Sequence, residues 1–273
     1  MSRLTAKFAA LKKAQRTALI PFITAGDPDP DFTVPALHAL VKEGADIIEV
    51  GVPFSDPMAD GPVIQKASER ALAHKMSLRR TLDLVKRFRQ DDNETPVVVM
   101  GYLNPIEAMG YQTFTDAAAK SGVDGVLTVD MPPEESSELL QLFDQADIDP
   151  IFLLAPNSTE KRIRKMGQLG RGYLYYVALK GVTGAGHLDL SDVERKIGQI
   201  RELTDLPLAV GFGVKNAETA RSIGTLAEGV VVGSALVSRI EAAEGNPAQA
   251  LSDIKELIAS MRGALDASAS NAA

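Results

Sequence analysis

IIEVGVPFSDPMADG, residues 47–61, opens as a short apolar run that encloses a carboxylate, Glu49, and passes into a loop dense in Gly, Pro and Asp ending at Asp60-Gly61. An apolar run of this length bounded by Gly and Pro reads as a buried strand. Burying a charge costs several kcal/mol at least, by order of magnitude, unless something compensates it. Glu49 therefore has a partner, a raised pKa or a chemical task, and Asp60 stands eleven residues further on in a loop that can fold back over it.

The same strand-then-loop grammar recurs on both sides. Apolar runs are read at Leu19–Thr24, Ile47–Val50, Pro96–Met100, Gly125–Val129, Ile151–Leu154, Gly172–Ala178, Pro207–Val210 and Gly229–Val232. Helical periodicity follows each one: Asp31–Glu43 with Pro35 in its first turn, Val63–Ala73 and Ser77–Arg89, Ile106–Lys120 with a break at Gly110, Glu134–Gln145, Glu160–Leu169, a helix marked by Val193, Ile197, Ile200 and Leu203, one holding Ala217, Ala220 and Ile223, and one from Ala235. Leu251, Ile254, Leu257 and Met261 mark a last helix, and residues 264–273 read as a flexible tail. Before the first strand, Leu4, Phe8 and Leu11 lie at helical spacing on a short segment that would plug or cap something. Most of the eight runs are continuous rather than alternating, the pattern of strands buried on both faces in a parallel sheet. Eight strand–helix units predict an α/β fold, a closed (β/α)8 TIM barrel with an extra N-terminal helix and additional helices, occupying residues 1–273 as one domain. An open doubly wound sheet is the alternative, and no GxGxxG after the first strand supports its dinucleotide-binding form.

Composition narrows the chemistry. The 273 residues carry a net charge of -7 and no Cys. An acidic chain gives no support for a nucleic-acid partner. Disulfides, thiolate catalysis and Cys-ligated metal sites are excluded. The three His residues, His38, His74 and His187, form no spaced metal signature, so no metal is expected. No apolar run approaches the roughly 18 residues of a membrane span. The first residues do not read as a signal peptide. A cytoplasmic setting is the expectation.

In a barrel of this kind, strand ends and the following loops meet over one mouth. Here they bring Phe22, Thr24, Glu49, Asp56, Asp60, Met100, Tyr102, Asn104, Leu127, Asp130, Tyr175, Thr183, Phe212, Gly213, Gly233 and Ser234. Such a mouth is apolar and aromatic with a few carboxylates, which suits a flat apolar ring with polar handles. Phe22, Met100, Leu127 and Phe212 read equally well as core filling. Three Gly-rich turns, Gly181–Gly186, Gly211–Gly213 and Gly233-Ser234 leading into a helix, converge on one quadrant. Exposed backbone N–H groups and a helix N-terminus suit a phosphate there, although tight turns also use Gly. A Schiff-base route would need Lys180 or Lys215, both in loops rather than strands, and His187 lies beyond the glycines.

Taken in order, the motifs resemble the alpha subunit of tryptophan synthase from about Leu4 to Met261. Glu49 to Pro62, EVGVPFSDPMADGP, is the most specific match, supported by FITAGDP at Phe22, GYLNP at Gly101, GVTG at Gly181, GFGV at Gly211 and VGSA at Val232. The resemblance implies a lyase that cleaves indole-3-glycerol phosphate to indole and glyceraldehyde 3-phosphate, with Glu49 as proton shuttle and Asp60 holding the indole N–H. It implies a ring pocket of Phe22, Ile64, Met100, Leu127, Tyr175 and Val231. Phosphate contacts fall on Gly184, Phe212, Gly213, Gly233 and Ser234, with Thr183 in loop closure. It also implies a beta-subunit partner in an alpha2-beta2 complex. Pyridoxal phosphate belongs to that partner, and no cofactor to this chain. The partner surface would include Pro53, Asp56, Pro57, Asn104 and Pro132, where exposed Pro and Met make a rigid docking loop. Ala178-Leu179-Lys180 stands where many members have a Ser-Arg-Ala type approach to the sixth loop, and Met100 where Leu is common. A phosphosugar isomerase on the same barrel, or a non-catalytic partner protein, are the competing readings. The first needs neither the aromatic pocket nor the long Pro/Asp loop, and the second needs neither carboxylate.

Overall fold

Each strand places one side chain in two on a barrel lumen and the others against surrounding helices, so both faces are apolar and the runs are continuous. In β1 (Ala18–Thr24), Leu19 and Ile23 pack outward while Ala18 and Ile20 join the lumen cluster. The computed structural model describes residues 2–178, 190–211, 213–243 and 245–270. After β1 come α2 (Pro30–Lys42), β2 (Ile48–Gly51), α3 (Pro62–Ala73), α4 (Leu78–Phe88), β3 (Val97–Gly101), α5 (Leu103–Met109), α6 (Tyr111–Ser121) and β4 (Gly125–Thr128). The second half holds α7 (Ser137–Gln145), β5 (Asp149–Leu154), α8 (Glu160–Leu169), β6 (Leu174–Val177), α9 (Leu190–Arg201), β7 (Leu208–Gly211), α10 (Ala217–Gly224), β8 (Gly229–Val232), α11 (Ser234–Ala242) and α12 (Pro247–Ser270). All neighbouring strands pair in parallel, and β8 pairs with β1 to close the barrel.

The N-terminal helix α1 (Arg3–Lys13) closes the amino-terminal end of the barrel, as its spacing predicted. Leu4, Phe8 and Leu11 enter the lumen cluster, and the Phe8 and Tyr173 rings lie 5.6 Å apart. Its capping residue Ser2 accepts from the Thr5 N–H and donates to Asp149 at the start of β5, so one hydroxyl both caps the helix and ties it to the sheet. Arg3 pairs with Asp124 at 2.8 Å, and Arg89 reaches the same carboxylate at 2.6 Å.

Four local expectations change. The segment 106–120 breaks at Gly110 as expected, where φ is 86° and the chain turns between two helices, but the first begins earlier, at Leu103, and includes Asn104. The helix expected from Glu134 begins at Ser137, since the Pro132–Ser136 segment forms a turn in which the Glu135 N–H bonds to Pro132 and the Ser136 hydroxyl to Pro133. Pro35 lies beyond the first turn of α2, which starts at Pro30; it sits on the exposed side, where water can take the carbonyl its missing N–H leaves free. The expected tail from 264 is instead the end of α12: the helix runs to Ser270 because Leu265 is buried and Arg262 bonds to Asp266 at 2.6 Å.

Candidate active site

Glu49 enters the lumen because β2 alternates: Ile48 and Val50 pack outward, and Ile47 joins the lumen cluster. The register sets Glu49 beside Phe22 on one side and Val98 on the other. Its side chain is fully buried. Tyr173 donates its hydroxyl proton to Oε1 at 2.5 Å, and Oε2 has no partner among the described residues. Burial lifts the carboxyl to about 7, and the Tyr173 hydrogen bond pulls only partly against it. Half of this carboxyl is thus held, half is free, and it gains or loses a proton near neutrality.

Asp60 is placed by a loop. Its own N–H bonds to the Pro57 carbonyl, and its carbonyl accepts from Gln65. Tyr102, at the end of β3, donates to Asp60 Oδ2 at 3.2 Å and accepts from the Ala59 N–H at 3.0 Å. One phenol therefore pins both the loop backbone and its carboxylate. Burial raises the Asp60 carboxyl and Tyr102 lowers it again. Desolvation in the same place, with the neighbouring carboxylate adding to it, pushes the Tyr102 hydroxyl up to about 12, so it stays a donor.

A narrow cleft opens beside Asp60, walled by Phe22, Thr24, Ile64, Ser68, Met100 and Tyr102. Glu49 lies below it, two residues earlier on β2 than Gly51, which forms part of the wall. Gly51 has no side chain for good reason: a methyl there would come within 2.5 Å of the Phe22 ring. Leu127, Tyr175 and Val231 belong to the lumen cluster beneath the cleft. Tyr175 feels both carboxylates, and burial together with Glu49 and Asp60 raises its hydroxyl out of the titrating range.

At the other side of the mouth, β7 and β8 are neighbours, so their loops adjoin. Gly213 takes φ 80°. Gly233 precedes α11 and supplies no side-chain cap, leaving the first N–H groups of that helix open to an anion. The position a Gly233 side chain would take is 3.5 Å from the Phe22 ring, so this helix start borders the cleft. Thr183, Gly184 and Phe212, with Leu179, Lys180 and His187, lie outside the described residues.

The protein-family model for "Tryptophan synthase alpha chain" matches residues 8–266. The chain belongs to the tryptophan synthase alpha-chain family. The alpha chain of Methylococcus capsulatus is 67% identical over 267 residues, covering 98% of this chain and all of that one. That of Thioalkalivibrio sulfidiphilus is 58% identical over 266 residues, covering 97% and 100%. The crystal structure of tryptophan synthase subunit alpha from Legionella pneumophila superposes with a TM-score of 0.90 at 43% identity, covering 98% of this chain and 99% of that chain.

Within this alpha-chain barrel, Phe22, Ile64, Met100 and Asp60 meet at one cleft, with Gly233 at its border. The expected docking loop needs a correction: Pro53 is buried, because it lies only two residues past the end of β2, while Met58 is 86% exposed and Asp56 and Asn104 are exposed. Pro57 and Pro132 are half-buried. Thr24, expected at the mouth, is a cleft wall, whereas sequence reading missed Tyr173 as the partner of Glu49 and Ser68 as a cleft wall. Tyr173 shares the parity of Tyr175 in GYLYYVA, which was the available signal. Among the described residues no group of three or more His, Asp and Glu could hold a metal ion, and no helix is long and apolar enough to cross a membrane.

Proposed function

We propose that Glu49 and Asp60 divide the acid–base work of the alpha-chain reaction, retro-aldol cleavage of indole-3-glycerol phosphate to indole and glyceraldehyde 3-phosphate. The carrying observation is Glu49: a fully buried carboxyl with one free oxygen and a pKa of about 7, beneath a cleft that holds Asp60. Cleavage needs the indole ring to accept the electron pair of the breaking carbon–carbon bond. Glu49 gives its proton to ring carbon 3, the bond to the side chain breaks, and the pair returns to the ring as the side-chain hydroxyl loses its proton to the same carboxylate. The aldehyde and indole leave, and Glu49 is again protonated. Positive charge peaks at the ring nitrogen in between, where Asp60 accepts the N–H hydrogen bond. A dry site makes that contact worth more than it would be in water.

The ring would lie between Phe22, Ile64 and Met100 above Leu127, Tyr175 and Val231. Its phosphate would sit on Gly213, Gly233 and Ser234, completed by Gly184 and Phe212, with Thr183 closing over it. The chain would act as one domain, in the cytoplasm, paired with a pyridoxal-phosphate beta chain as an alpha2-beta2 assembly. Asp56, Pro57, Asn104 and Pro132 are the outward-facing candidates for that contact. The test is indole release from indole-3-glycerol phosphate, with and without a beta chain. Indole is expected in both cases and faster with the partner; none in either would refute the reading.

A further inference from the structure

Arg70 lies outside the cleft, yet the segment after β1, helix α3, and helix α11, whose start borders the cleft, meet at its guanidinium. Nε bonds to Asp27 Oδ1 at 2.6 Å, Nη2 to Asp27 Oδ2 at 3.0 Å, and Nη1 lies 3.3 Å from Glu241 Oε1. Asp27 follows β1, the strand of Phe22 and Thr24. Arg70 itself is on α3, whose Ile64 and Ser68 wall the cleft and whose start directly follows Asp60-Gly61. Glu241 is in the last turn of α11, the helix that begins at Ser234. Between these elements Phe22, Ala67 and Val237 pack as a separate buried cluster.

The Asp27 side chain is completely buried, while those of Arg70 and Glu241 are 25% and 34% exposed. A buried carboxylate is a costly way to hold two helices together when apolar packing would serve. What a two-pronged guanidinium–carboxylate pair adds is a fixed geometry. The geometry here ties the wall proposed for the ring to the far end of the helix whose start is proposed for the phosphate. We propose that Arg70 is a positioning residue that sets the separation of the ring and phosphate subsites through Asp27 and Glu241.

This rests on the assignment of those subsites made above. A ligand carrying both groups on one three-carbon chain must satisfy both subsites at once, and small errors of placement are costly for it. The separate fragments bind wherever their own subsite goes. Glu241→Gln removes the ionic part of the link to α11 while sparing the Asp27–Arg70 pair, and Arg70→Lys keeps the charge but loses the fork. The probes are indole, glycerol 3-phosphate and 3-(indol-3-yl)propyl phosphate, followed by ligand-observed NMR and calorimetry. In Glu241→Gln the two fragments should keep their affinity within about twofold while the joined ligand weakens about fivefold, and KM for the substrate should rise with kcat less affected. Arg70→Lys should show the same pattern more strongly; if it does not fold, Glu241→Gln decides alone. An unchanged joined ligand, or equal weakening of all three probes, overturns the clamp. A wild-type chain that neither binds the joined ligand nor releases indole overturns the subsite assignment and the clamp with it, whereas a normal wild type beside an unaffected Glu241→Gln chain overturns the clamp alone.

Discussion

Glu49 and Asp60 are the same functional group held in two different ways. Glu49 is fixed by sheet register, fully buried, and bonded to Tyr173 across the barrel. Asp60 is half-buried on a loop and hangs on one phenol, that of Tyr102. Burial raises both, but it carries Glu49 to about 7. A rigid, dry position tunes an acid for proton transfer at neutral pH, whereas a loop position keeps a charge available to meet a ligand.

The comparison breaks first at Glu49. Glu49→Gln keeps shape and loses the proton, so turnover should fall at least about a hundredfold with substrate binding little changed. Near-normal indole release by that variant would remove the shuttle role. The same substitution tests burial by stability. Glu49 titrates near 7 when folded and near 4.5 when unfolded, so the folded state binds more protons between those values and loses stability as pH rises through them. Equilibrium unfolding should therefore find Glu49→Gln gaining on the wild type from pH 5 to pH 8, by up to about 3 kcal/mol. A difference that stays flat with pH would mean the carboxyl is not dry.

Asp60→Asn retains an acceptor but no charge, and a drop in kcat of about tenfold, smaller than for Glu49→Gln, is expected. Steady-state rates in the reverse order would exchange the two roles. Tyr173→Phe sharpens the contrast more gently. It removes the one bond that favours the ionised form of Glu49, so the ionisation seen in the kcat–pH profile should move up by about one unit. A downward move would show that water replaces the phenol and that Glu49 is less enclosed than its burial indicates.

Much of the site was readable from residues alone because it follows the chain. Glu49, Asp60 and Ile64 sit on one strand–loop–helix unit, and Gly233-Ser234 on another, so each βα turn announced its own content. What escaped reading lies across the chain. Tyr173 is 124 residues from Glu49 and Tyr102 is 42 from Asp60. No local period relates them, and a Tyr in an apolar strand reads as core filling until its hydroxyl has an address. Pro53 shows the reverse error: a loop motif suggested exposure, but the first residues past a barrel strand are still enclosed.

By itself the amino-acid order determined the alternation of strand and helix, the plug at the N-terminus and the pair of carboxylates, because each of these depends on periodicity and turn chemistry within a few residues. Only closure of the barrel decided which carboxyl titrates near neutrality, which phenol holds each acid, and that Arg70 joins the segment after β1 to α3 and α11. Those outcomes depend on desolvation and on contacts between distant strands and helices, and neither exists until the sheet has met its own edge.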